Sequence, residues 1–252
     1  MNIIMRLDWT RMAGLAILVL GGVIVQLGGC NREQPTQRTE EYYALHGLVP
    51  GQVNELQIGE YKFRFPAENF PEPYTYAKRA SDIVKGRAER ATVQLDLSSW
   101  FIEKPPGLAS EATTLVRVEY WPRLNSGEGM KAAQEAKLNS EPWKAIDDLP
   151  QIGLRRYTRV TGGWGELTYL PTDSSVKTSD GALMLYDCTA ILKSTADGKL
   201  PLATDQPYIC HLSFRHPRGP YIAYFFSGRL LPRWKEVHQE VLNFVDTTLI
   251  KN

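Results

Sequence analysis

Apolar side chains fall on alternate positions in several short runs of this chain, the period of strands with one buried face. Tyr61, Phe63 and Phe65 alternate with Lys62 and Arg64 until Pro66 stops the run, and Val93, Leu95 and Leu97 alternate with Gln94 and Asp96. Val116, Val118 and Tyr120 repeat the pattern against Arg117 and Glu119 and end at Trp121-Pro122. Between these runs the period lengthens. Tyr76, Ala80, Ile83 and Val84 fit one helical face, and Met130, Ala133, Ala136 and Leu138 fit a weaker one. A third helix is predicted from Ser140, with Glu141-Pro142 in its first turn and Trp143, Ile146 and Leu149 inward. From Ile152 strands return, punctuated by turns at Gly162-Gly163, 171–175, Asp180-Gly181 and 216–220. Residues 221–226 are apolar on both sides, as in a strand covered on both faces. After Pro232, the residues Trp234, Val237, Val241, Phe244, Val245, Thr248 and Leu249 form one stripe, while Lys235, Glu236, Gln239, Glu240, Asn243 and Asp246 face out. This order predicts an α+β fold: a largely antiparallel sheet with packed helices and a C-terminal amphipathic helix.

The opening residues follow a different rule. Arg6 and Arg11 precede an apolar run over 13–27 that ends at Leu27-Gly28-Gly29-Cys30. A charged segment, an apolar segment and small residues before a cut are what an export signal requires, and the run is short for a membrane span. The four closing residues resemble the lipobox of bacterial lipoproteins. That resemblance implies cleavage before Cys30, fatty acylation of Cys30 (palmitate among the chains) and a mature protein facing the periplasm. The alternative is an uncleaved single-pass anchor. Asn31 stands where an aspartate would resemble an inner-membrane retention signal, so the outer membrane is the expected address. The predicted organisation is a signal peptide over 1–29, a polar tether over 30–42, and a globular body over 43–252 whose two sub-lobes would meet near 150.

Composition narrows the class of partner. Removing residues 1–29 from the 252-residue chain leaves 223 and takes the formal charge from +1 to zero, because Arg6, Arg11 and Asp8 go with them. A neutral body offers no global field for nucleic acid. With Cys30 assigned to lipid, Cys188 and Cys210 remain as a pair in an oxidising compartment, which predicts a disulfide. Placing Cys188 opposite Cys210 in an antiparallel pair also sets Ala190 against Tyr208, Tyr186 against Leu212 and Met184 against Phe214, around an Asp197-Gly198 turn. Two buried free thiols are the competing reading.

Candidate chemistry is sparse. The four histidines, His46, His211, His216 and His238, show no zinc-ligand spacing, so no metal, cofactor or catalytic residue is assigned. Gly163-Trp164-Gly165-Glu166 has neither the lysine nor the helix of a phosphate loop and reads as a hairpin turn. No nucleophile elbow is present in the sequence. Arginines are the remaining signal. Arg155 and Arg159 share a strand face with Tyr157, with Arg156 on the other, and Arg215, His216, Arg218 and Arg229 are expected to cluster near the last hairpin. Arg155, Arg159, Arg215 and Arg218 are thus the candidate contacts for an acidic protein partner, set against a merely solvated sheet face.

The 221–226 strand, the tryptophan and the closing helix, with Phe63-Arg64-Phe65-Pro66, resemble the Mog1/PsbP-like α/β/α sandwich. The layout is also similar to the periplasmic immunity lipoproteins that face type VI secretion toxins. That resemblance implies a membrane-anchored, non-enzymatic protein-binding module that neutralises a secreted toxin. The alternative is an envelope enzyme or assembly factor acting on lipid, peptidoglycan or outer-membrane proteins.

Overall fold

The computed structural model describes residues 38–97, 113–119, 127–140, 144–161, 164–189 and 208–250. Helix α1 (Glu40–Leu45) comes first, with the Thr39 hydroxyl accepting the Tyr42 amide at its N-terminus. It starts inside the segment expected as tether, because Tyr42 is 1% exposed and its hydroxyl donates to the Pro73 carbonyl. Strands β1 (Asn54–Ile58) and β2 (Tyr61–Phe65) form an antiparallel hairpin, and the short β4 (Arg87–Ala88) joins β1 in parallel. This small sheet buries Leu56, Ile58, Phe63 and Phe65, the alternate residues that its period requires.

The large sheet has nine strands in the order β3-β5-β6-β12-β11-β10-β9-β8-β7, every neighbouring pair antiparallel. They are β3 (Glu72–Tyr74), β5 (Arg90–Asp96), β6 (Thr113–Glu119), β7 (Lys144–Leu149), β8 (Leu154–Thr161), β9 (Trp164–Pro171), β10 (Tyr186–Thr189), β11 (Ile209–Arg215) and β12 (Tyr221–Ser227). The α+β class and the antiparallel sheet are therefore as the sequence predicts. At residue 150 the chain is turning between β7 and β8 within this one sheet.

Cys188 pairs with Cys210 in the β10–β11 ladder, and a disulfide joins them. Tyr186, Cys188, Cys210, Leu212 and Phe214 are all buried on the same face. Met184 is buried but precedes the strand, while Ala190 and the Asp197-Gly198 turn lie outside the described residues, as do Cys30, Tyr120 and Trp121-Pro122.

Helix α3 (Trp234–Thr248) covers that face. All six residues of its apolar stripe within the helix are buried, and Leu249 just beyond it bridges to Phe63 on β2. Its Trp234 ring lies 5.8 Å from Tyr186 and Phe244 stacks 6.4 Å from Phe65, so one helix joins the two sheets in a single core. Helix α2 (Gly127–Asn139) reaches the other face, where Lys137 meets Asp187. The sheet thus has helical contacts on both sides.

Two expected helices are absent from the described residues. Over 76–84 only a 3-10 turn forms (Ala80–Asp82), with Tyr76 at 69% and Val84 at 56% exposure; so short a segment with so little burial cannot offset helix nucleation. The segment read as a helix from Ser140 is β7, and the register slips between Ala145 and Asp147. Ile146 is the extra residue of a bulge, which turns strict alternation into the three-residue spacing of Trp143, Ile146 and Leu149.

Candidate partner-binding face

The bulged hairpin decides what the first arginine group does. On β7, Asp147 and Asp148 point to opposite sides, and β8 sets Arg156 and Arg155 beside them. Arg155 binds Asp148 through both Nε and Nη2, the latter at 3.0 Å, and Arg156 binds Asp147 through Nε at 2.8 Å and Nη2 at 3.0 Å. Arg159 meets Glu166 of β9 at 3.0 Å. The guanidinium beside Asp148 holds that carboxyl below its usual range, and the carboxylate holds Arg155 above its own. Arg155 and Arg159 do lie on one face, but each brings an acid with it. On that face one forked pair, Arg155–Asp148, and the Arg159–Glu166 pair offset the positive charge of both arginines.

The second arginine group divides. Arg215 gives its Nε to the Gly219 carbonyl within the β11–β12 hairpin. Arg218 reaches the end of α3, donating to the carbonyls of Asp246 at 3.1 Å and Leu249 at 2.7 Å, where a cation satisfies the orphan acceptors of the last turn. Arg229 is not with them. It follows β12, at the end of the strand opposite the hairpin, roughly 20 Å away at strand rise. Between Arg215 and Arg218, His216 is 2% exposed, with its Nδ1 accepting the Arg218 amide and its Nε2 3.5 Å from Asp246 Oδ1. Burial lowers its pKa.

A continuous row of polar and aromatic groups crosses the face of the large sheet opposite α3. It begins at Asp187 on β10, whose Oδ1 accepts the Thr168 hydroxyl of β9 and the Lys137 ammonium of α2, each at 2.6 Å. His211, in register with Asp187, holds Nε2 4.0 Å from Oδ2. Its ring stacks on Phe225 of β12 at 5.5 Å and 22°. Arg117 of β6 covers the Phe225 ring at 4.8 Å, and Arg117 and Arg90 both reach Glu119 at 3.4 Å. Arg90 in turn lies 4.2 Å over Tyr74 of β3. The row is partly exposed, with Asp187 at 24%, Lys137 and Arg90 at 32% and Arg117 at 34% of their side chains. Antiparallel register makes it, since each strand donates one odd-face residue beside its neighbour's. Such a row offers charge, cation–π and hydrogen-bonding groups at fixed spacing, a pattern suited to recognition.

Sequence reasoning placed His211 correctly opposite Cys210 but missed the row itself. The alternation of Arg117 with Val118 and Glu119, and of His211 with Leu212, carried the signal, while the neighbouring strands were unknown. Among the described residues no group of three His, Cys, Asp or Glu side chains is arranged to hold a metal, and no helix is long and apolar enough to cross a membrane. Of the remaining histidines, His46 is buried with Nδ1 3.0 Å from the Tyr42 carbonyl, and His238 pairs with Tyr224.

No family model and no curated protein sequence matches the chain. Among solved structures it is similar to Smlt3025, an immunity protein of the Stenotrophomonas maltophilia type IV secretion system, at 14% identity and a TM-score of 0.49, over 80% of this chain and 94% of that one.

Proposed function

We propose that this chain is a lipid-anchored protein on the periplasmic side of the envelope, at the outer membrane, that grips another protein without turning over a substrate. Its partner in this reading is a toxin delivered by a secretion system. The observation that carries the binding role is the row from Asp187 through His211 and Phe225 to Arg117, because arginine and aromatic groups held rigidly on a sheet are the residues that anchor protein interfaces. Leu27-Gly28-Gly29-Cys30 supports the anchor, and the Cys188–Cys210 bridge supports an oxidising compartment.

The test uses the product of the gene beside this one. Directed to the periplasm of a bacterial host, that product should arrest growth, and co-expression of this chain should restore it. Arg117→Ala with Phe225→Ala should abolish the rescue at an unchanged melting temperature. Rescue that survives the double change moves the interface elsewhere. A neighbour that is harmless, with an envelope defect on deleting this chain alone, refutes immunity and favours an assembly factor or enzyme. Labelling with palmitate, lost in Cys30→Ser, tests the anchor separately.

A further inference from the structure

A groove of about 410 Å³ lies between the 176–184 segment, the β11–β12 hairpin and the outer side of the first turns of α3. Val176, Met184, Pro217, Trp234 and Leu242 give it an apolar lining. Its size is within the roughly 300–1,000 Å³ range of small-molecule sites. Lys177 and Lys235 stand at its exposed rim, and neither forms an ion pair among the described residues. Lys235 instead lies 5.2 Å over the Trp234 ring, and its charge helps to hold the solvent-exposed Asp173 carboxyl below its usual range.

One imidazole also lines the groove. His238 has its Nδ1 3.1 Å from the Tyr224 hydroxyl, which is 3.4 Å from that of Tyr186. Both tyrosines are fully buried. Three polar groups in an apolar core cost free energy unless they satisfy one another, and this chain of contacts fixes the ring's orientation. Its Nε2 has no protein partner among the described residues. A polar atom so held, beside two lysines and above an apolar lining, is complementary to a ligand with one anionic end and a hydrocarbon body.

We propose that this groove binds an amphipathic carboxylate, with an unbranched aliphatic chain against Met184, Trp234 and Leu242 and the carboxylate between Lys177, Lys235 and His238 Nε2. The site is separate from the row on the opposite face of the sheet and does not depend on the toxin reading.

The probe is 10-bromodecanoate, whose bromine quenches tryptophan at contact. It is titrated into the full chain held in phosphatidylcholine nanodiscs, with empty discs correcting for partition. Saturable quenching is expected, and Trp234→Phe should remove it. Lys177→Ala with Lys235→Ala, both exposed, should weaken the apparent Kd about tenfold, since surface charges contribute modestly to an anion's binding. Equal binding of 10-bromodecanol would overturn the carboxylate assignment. Quenching that persists in Trp234→Phe, or that never saturates, would overturn the site. Quenching of Trp234 by discs of brominated phosphatidylcholine alone would assign the groove to bilayer chains and likewise overturn the proposal.

Discussion

Acid should destabilise this fold through His238, by an amount that follows from where the ring sits. Its imidazole packs edge-on to Phe214 at 5.0 Å and contacts the buried Tyr224 hydroxyl, and burial, with a smaller contribution from the like charge of His216, lowers its pKa to about 4. The unfolded chain has an ordinary histidine near 6.5, so between the two values the unfolded state binds more protons. The contribution is therefore intact above pH 6.5, falls as pH drops through the window from 6.5 to 4, and changes no further below it. Linkage over that interval gives a loss of about 2 kcal/mol from pH 8 to pH 5, and about 3 kcal/mol once pH is well below 4. His46 and His216 are shifted in the same direction by burial and add to the slope. Denaturant unfolding of wild type and His238→Gln at pH 8 and pH 5 measures the effect, because glutamine keeps a polar side chain but does not titrate. The variant should start less stable and lose about 2 kcal/mol less on acidification. Equal acid losses in the two proteins, or an NMR titration of His238 near 6.5, would refute the argument.

Three further outcomes are expected. Replacing Cys188 and Cys210 by alanine opens a link across a sequence separation of 22 and should cost about 3 kcal/mol in denaturant unfolding, with the same change seen on reducing the wild type. Gly219→Ala should lower the melting temperature with a loss of roughly 1–3 kcal/mol, since Gly219 has φ +108° and an added Cβ would lie 2.5 Å from the Tyr61 hydroxyl. Arg155→Glu with Arg159→Glu should destabilise modestly at low salt and less at high salt, because each new carboxylate faces Asp148 or Glu166; a salt-independent change would contradict the pairing.

Legibility in the sequence followed the regularity of each element. Helix α3 was readable because its stripe keeps a 3.6-residue period for four turns and every predicted inward residue within it is buried. The Cys188–Cys210 register was readable because both flanking runs alternate cleanly. β7 was not, since one extra residue at Ile146 erased its alternation, and that misreading hid the acids opposite the arginines. Arg155 reads as excess positive charge only when Asp148 is placed in a helix, and Arg159 only when its β9 partner Glu166 is left in a turn. The row on the sheet face was illegible for another reason. It is assembled across β6 and β12, neighbours in space separated by some hundred residues of chain, and no local pattern records such a pairing.

The two rims of the nine-stranded sheet carry a consequence for crowding. A strand with bare amides and carbonyls is a template for another copy. At one rim, β3 is three residues long, its Pro73 has no amide to offer, and the Pro73 carbonyl is already taken by Tyr42. At the other, the bulge at Ile146 breaks the hydrogen-bonding repeat of β7, and Asp147 and Asp148 beside it hold the β8 arginines in ion pairs. Both devices disfavour in-register extension of the rims by a second molecule.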